Sequence, residues 1–317
     1  MTEVSLLFAK PFICRGKQHP LSAKYFIQLL ILAAIWGSSF LFTRLSVPEL
    51  GPIPLTALRS GIAALVLLPI LFLSAQAPIF LRHWQHLLIV GMISTALPFS
   101  FITVTTLYTS AGFASILNAM TPIFSGLFAW LWLKEQLSVM AMIGIALGFI
   151  GVLIMVTDTR TISADFLLLP VLTGLAATLC YGLTGNYSRK FLTGVPPVTI
   201  ATGCQFFSAL ALSPIAWLLW PEQSISTSSW FSALVLGVLC TGIAFILFFH
   251  LLAQVGVART MVVTYMVPVF AMLWGYLYLQ ENVTPKMLAG ALFILTGIAL
   301  TTGILRRRKK PRLQPGA

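Results

Sequence analysis

The chain is poor in charge. Of its 317 residues only 19 are Lys or Arg and 7 are Asp or Glu, 8% together, against roughly 25% in soluble globular proteins. That scarcity excludes a water-soluble enzyme, a secreted disulfide scaffold and a disordered tail. Cysteine is scarce too. Cys14, Cys180, Cys204 and Cys240 show no CxxC or Cys/His metal spacing, so no disulfide framework or metal site is expected. Three of them lie in apolar runs, where cysteine serves as a small hydrophobe. There is no Walker motif, metal triad or Cys/His/Asp constellation, which leaves ATP hydrolysis and intramembrane hydrolysis without the groups they need. No cofactor is implied. The residues before Tyr25 contain no apolar core ahead of their basic cluster, so they read as a tail rather than a signal peptide.

What the chain has instead is apolar length: 58% of residues are hydrophobic and the mean hydropathy is +0.97. The bilayer is its solvent, and the question becomes how many spans of about 20 apolar residues fit. Ten runs answer it: Tyr25 to Val47, Ile53 to Leu73, Leu87 to Leu107, Ala111 to Leu133, Val139 to Val156, Phe166 to Tyr187, Val198 to Trp220, Trp230 to Leu252, Thr260 to Leu279 and Pro285 to Leu305. They are helix-length and do not alternate, and every amide must be satisfied inside lipid. The expectation is therefore an all-α integral membrane protein of ten transmembrane helices, not a barrel.

Basic residues set the orientation. Lys10, Arg15, Lys17 and Lys24 precede the first run; Arg82, Lys134, Arg189 with Lys190, and Arg259 occupy every second loop, and the tail Arg306 to Arg312 is polybasic. Both termini are thus expected in the cytoplasm, in a multi-pass protein of the inner (plasma) membrane. The net charge of +12 is a membrane-face signal rather than a nucleic-acid footprint.

The chain also repeats itself. Residue n matches residue n+146 without a gap from Gly91/Gly237 to beyond Gly151/Gly297, with identities at Phe99/Phe245, Pro122/Pro268, Phe124/Phe270, Glu135/Glu281 and Gly144/Gly290. An offset of 145 aligns Ile35 to Arg44 with Cys180 to Arg189, and Pro52 and Pro69 with Pro197 and Pro214. The resulting organisation is a tail at 1–24, a first repeat at 25–156, a second at 166–305 and a basic tail at 306–317. Five helices per repeat is an odd number, so the second copy enters the membrane from the other side. That is the inverted arrangement of secondary transporters, with a site near the midplane.

The WGSSF segment (Trp36 to Phe40), the Ala57-Leu58-Arg59 triplet, and the twin stretches Trp132 to Val152 and Tyr278 to Ile298 resemble the EamA family of the drug/metabolite transporter superfamily. The resemblance covers the chain between its tails. It implies a ten-helix permease with cytoplasmic termini and a central cavity lined chiefly by helices one, three, four, six, eight and nine.

Site candidates follow from polar groups at mid-depth. Pro122 and Pro268 interrupt the fourth and ninth helices and free the carbonyls of Asn118 and Thr264, so both prolines are candidate hinges or gates and Asn118, Thr121, Thr264 and Tyr265 candidate binding groups. The alternative is that the prolines are packing kinks whose carbonyls find Ser/Thr partners. Trp36 with Ser38 and Ser39, matched by Tyr181 in the second repeat, offers an amphipathic wall for a small solute. Arg59 lies inside the second helix, where an isolated charge costs at least about 2.5 kcal/mol. It either snorkels to the membrane surface or faces the bundle, and the favoured reading is that it snorkels or serves structure; if it faced the cavity it would favour an anionic or carboxylate-bearing substrate. Glu135 and Glu281 precede Ser138 and Thr284 by three residues and are read as ordering their own turns.

The seven acids all fall in tails, loops or helix ends, so no carboxylate waits at mid-depth for proton/organic-cation exchange. The expected function is export of a small metabolite, an amino acid or related polar compound, by alternating access. The alternatives are a multidrug or organic-cation exporter of the same superfamily and a membrane-embedded lipid-modifying enzyme. The expected partners are the solute and the lipid bilayer, with no nucleic acid, and the chain is a monomer or homodimer.

Overall fold

The computed structural model describes residues 23–134, 138–157 and 168–301, without the side chains of 257 and 258. Cys14, Glu3, Glu135, Asp158, Arg160, Asp165, residues 1–22 of the first tail and the whole basic tail 306–317 lie outside the described residues. The architecture is all-helical. Eight helices are long and apolar enough to cross a membrane: α1 (Ala23–Leu50), α2 (Pro52–Leu73), α3 (Trp84–Tyr108), α4 (Ala111–Leu133), α5 (Val139–Val156), α6 (Leu168–Phe191), α7 (Pro197–Leu218) and α8 (Thr227–Val255). Two shorter apolar helices follow, α9 (Val263–Leu279) and α10 (Pro285–Thr301).

Local chemistry explains the ends. Ser110, Ser138, Ser226 and Thr284 each accept an amide three residues on, at Phe113, Ala141, Ser229 and Met287, which satisfies donors that the first turn leaves free. Pro52 and Pro197 occupy first-turn positions, where a missing N–H costs nothing. Lys134 and Gln280, which the repeat aligns, both end their helices in the left-handed conformation (φ 54° and 53°).

Three helices depart from the uniform rods that the apolar runs suggest. α3 carries a π-helical segment at Met92–Ala96 and α8 carries one at Val238–Ile243; 92 + 146 = 238, so the irregularity repeats. α4 is divided, its first part ending at Asn118 and its second starting at Thr121, so Pro122 sits in the first turn of a new helix rather than inside a continuous one. The ninth run also begins later than its hydropathy indicates. Residues Val257–Thr260 form a separate turn and α9 starts at Val263, with Pro268 inside it.

The principal packing pairs are α5 with α10, α2 with α7, α1 with α9, and α6 with α3 and α4. Glycines set their closest approaches, and the contacts come in exchanged pairs. A Cβ on Gly144 would stand 2.5 Å from the Gly297 carbonyl oxygen, and one on Gly151 would stand 2.6 Å from that of Gly290; 144 + 146 = 290 and 151 + 146 = 297. Gly37 abuts Phe270 and Ala271, while its counterpart Gly182 abuts Phe124 and Ser125, their counterparts. Gly91 abuts Cys204 and Phe207, while Gly237 abuts Arg59 and Ile62. In lipid, where apolar side chains gain little by leaving their solvent, this close backbone approach supplies the van der Waals attraction between helices.

Because the obstructing atoms are backbone, Gly144→Ala and Gly151→Ala must push α5 from α10 despite alanine's better helix propensity. Each variant is expected to lose about 1–3 kcal/mol, seen as a lower melting temperature in detergent. An alanine variant as stable as wild type would refute the close crossing.

Candidate functional site

One polar cluster of the bundle interior forms around Arg59. The side chain does not snorkel outward, which removes the snorkelling half of the expectation from the sequence and leaves its structural half. It is half-buried; its Nε donates to Thr241 Oγ1 at 2.8 Å, and its Cζ lies 4.0 Å from the centre of the Phe99 ring. The inward direction follows from its neighbours: Gly237 approaches the α2 backbone at Arg59, which brings the middle of α8 within reach of the guanidinium. Cys240 and Tyr181 are close enough to couple electrostatically to it. Ser38 Oγ lies 3.7 Å from Cys240 Sγ while donating to the Ile35 carbonyl at 2.8 Å. Five helices, α1, α2, α3, α6 and α8, therefore contribute to one cluster.

Thr241 can orient Arg59 because of the π segment. Its hydroxyl donates to the carbonyl of Leu236, five residues back, at 2.8 Å, leaving an oxygen lone pair for the arginine. A π-helical turn inside an α-helix is often found at functional sites. Sequence reasoning missed Thr241, Cys240 and Phe99. The signal for Thr241 was present in the repeat, since Thr95 occupies the matching position (95 + 146 = 241) in the other π segment.

Of the residues singled out from the sequence, Ser38 and Tyr181 join this cluster. Trp36 packs on Phe248 and Phe245, with ring centres at 5.4 and 6.5 Å. Ser39 is buried and donates to the Trp36 carbonyl at 2.6 Å. Asn118 stands at the division of α4 with its Oδ1 buried and unpartnered. The Asn118 carbonyl, which Pro122 deprives of its helical donor, takes the Thr121 hydroxyl at 2.8 Å, as in the packing alternative. Thr264 donates to the Met261 carbonyl at 2.8 Å. Tyr265 packs against the core shared by α4, α5 and α10. Gln205 is fully buried with neither amide atom bonded, while Asn186 ties α6 to α4 by donating to the Ser125 carbonyl at 3.0 Å. Two open apolar clefts, of about 320 Å³ between α4 and α6 and about 370 Å³ between α2 and α7, are lined by none of the predicted binding residues.

Charge at one end of the bundle is organised differently. Arg44 donates to the carbonyls of Thr106 and Leu107 at the end of α3, where a cation suits the helix dipole. Glu281 does not serve its own turn as expected. Both of its carboxylate oxygens accept the Ala111 amide, at 2.9 and 3.0 Å, so it caps α4 from 170 residues away. The local rule failed because Thr284 alone caps α10, leaving the glutamate free for another helix.

Apolar spans, a polar centre built from both halves around one inward arginine, and the remaining described charges near the helix ends are the features of a multi-pass membrane protein. The chain matches the EamA-like transporter family twice, over residues 23–157 and 168–303. It belongs to that family. It is similar to the uncharacterized transporter YoaV of Bacillus subtilis (strain 168), 24% identical over 90% of this chain and 99% of that protein. It is equally similar to an uncharacterized transporter of Archaeoglobus fulgidus, 24% identical over 90% and 100%. A crystal structure shares the fold, with a TM-score of 0.61 at 18% identity over 89% of this chain and 97% of that one.

Burial raises the pKa of Glu281 above the ordinary carboxylate value, against the opposing pull of the Ala111 amide and the Arg44 charge. The folded protein therefore takes up this proton at higher pH than the unfolded chain does. Its contribution to stability is worst at neutral pH and improves as pH falls toward the usual carboxylate range. Glu281→Gln, which retains an acceptor for Ala111, is expected to flatten the melting temperature between pH 7 and 5; an unchanged slope would refute this assignment.

Proposed function

We propose that the protein is a secondary-type permease that exports a small metabolite, an amino acid or related polar compound, across the inner membrane. It works by alternating access of two inverted five-helix halves, with ten spans and both termini cytoplasmic. The observation that carries the reading is the exchanged set of contacts: where residue i of one half meets residue j of the other, the repeat counterparts meet as well. That is the signature of a twofold relation, and with five helices per half the axis lies in the membrane plane. Halves so related can trade two slightly different shapes and open the central cluster to each side in turn.

The yielding elements in this reading are the interrupted ones. The π segments of α3 and α8 and the divided α4 are places where a helix changes hydrogen-bond partners with little loss. A proton-coupled organic-cation exporter fits less well, because the cluster offers a cation, Arg59, where such a carrier needs a carboxylate. Among the described residues no arrangement of acid, base and nucleophile favours an enzyme.

Counterflow in proteoliposomes, screened with labelled amino acids, nucleosides and cationic drugs, tests the proposal. Counterflow of an amino acid or similar metabolite is the expected result, and its absence for all classes would overturn the reading. The double variant Pro122→Ala/Pro268→Ala is expected to keep its folded yield while the counterflow rate changes severalfold. An unchanged rate would remove the prolines from the mechanism.

A further inference from the structure

The Arg59 guanidinium is held but not neutralised. Its Nε is taken by Thr241 and one ring face of Phe99 lies against it, yet neither terminal nitrogen has a hydrogen-bond partner among the described residues. Its electrostatic neighbours are a thiol and a phenol, Cys240 and Tyr181, not a carboxylate. The three described acids are elsewhere: Glu49 holds the Ser226 amide at 2.7 Å, Glu281 holds that of Ala111, and Glu222 lies in the loop between α7 and α8. A cation at this depth without an anion is costly and calls for one.

The geometry points to a carboxylate of the transported solute as that anion, with Arg59 as its anchor. This deepens the transport reading and rests on it for the solute's path to the site. With Nε occupied, the guanidinium presents the edge formed by its two terminal nitrogens, whose parallel N–H bonds match the two oxygens of a carboxylate. Thr241, fixed by the π turn, positions that edge. The neighbours of the guanidinium set the rest of the solute: the Phe99 ring against it and Tyr181 near enough to couple to it suit an apolar or aromatic body next to the acid. One arginine pairs with one acid, so monocarboxylates are favoured over dicarboxylates. The repeat does not duplicate the subsite, since Cys204 is the counterpart of Arg59 (59 + 145 = 204); the solute is gripped by its acid from one half only.

The test uses the full-length protein in detergent with five probes: 3-phenylpropionate and butyrate as acids, 2-phenylethylamine and propylamine as amines of similar body, and L-phenylalanine with both groups. The acids and phenylalanine are expected to raise the melting temperature saturably, and the amines are not. In Arg59→Gln the affinity for acids should fall at least about tenfold, the usual effect of losing a charged hydrogen bond. That variant should melt no lower than wild type, because an uncompensated charge has been removed. Arg59→Lys should keep the fold and bind acids with intermediate affinity, having charge without the two-pronged edge.

The inference is overturned if the amines stabilise as well as the acids, if no acid binds, if Arg59→Gln binds acids normally, or if Arg59→Gln loses its fold and Arg59→Lys recovers it with full acid binding. Counterflow of a bound acid separates the two proposals. Binding without counterflow would sink transport and leave the anchor, whereas counterflow that is indifferent to Arg59→Gln would sink the anchor and leave transport.

Discussion

Where the two halves meet most closely they meet through backbone, and that contact tolerates nothing larger than hydrogen at six paired positions: Gly37 and Gly182, Gly144 and Gly297, Gly151 and Gly290. A soluble protein could hold two such units together by burying apolar surface. A bilayer offers no such gain, because lipid tails are as apolar as the side chains that would leave them. Dispersion between closely approaching helices has to do the work, and close approach requires glycine. The remaining geometry follows: α1 lies on α9, α6 on α4 and α5 on α10, which leaves α3 and α8 with their irregular segments beside the central cluster.

The same constraint divides the bundle mechanically. Helices locked carbonyl to glycine cannot slide by a residue without collision, so in the proposed cycle α5 and α10 would be the fixed crossing about which the rest turns. Helices with a π segment or a division already have amides and carbonyls with more than one reachable partner. Movement is therefore expected to collect in α3, α4 and α8, whose irregular stretches adjoin or supply the polar centre. Thr241 is the joint between the two regimes, because one hydroxyl both satisfies the π turn and orients Arg59.

The parts of this structure that the sequence disclosed are those a local pattern can carry. Apolar runs located the helices because hydrophobic length is a property of consecutive residues, and the repeat disclosed which glycines are counterparts. Hydropathy did not show the π segments, since an extra residue within a helix leaves composition unchanged and needs no proline or glycine breaker at the point of insertion. Pro122 did mark the division of α4, although as the start of a second helix rather than as a kink. The placement of Arg59 was not legible because snorkelling and inward placement demand the same residue at the same depth, and only the approach of α8 at Gly237 decides between them. Glu281 was misread for the same reason: capping rules are local, and its amide belongs to a helix from the other repeat.

The contacts of the two halves are symmetric and their chemistry is not. The proposed alternation between two shapes related by a twofold rotation requires that neither be much more stable than the other, and the near-equivalent packing is suited to that: glycine faces glycine, threonine matches threonine at 95 and 241, and left-handed helix ends match at 134 and 280. Recognition needs the opposite. Two arginines at counterpart positions would set like charges in one low-dielectric centre, where repulsion is strong, and one anionic solute could not neutralise both. Cys204 at the second position avoids this at no cost in volume that the packing of α7 on Gly91 cannot absorb. In the proposed cycle a single cation on a near-symmetric frame would let the frame change shape while the solute keeps one orientation, held by the same group whichever side is open.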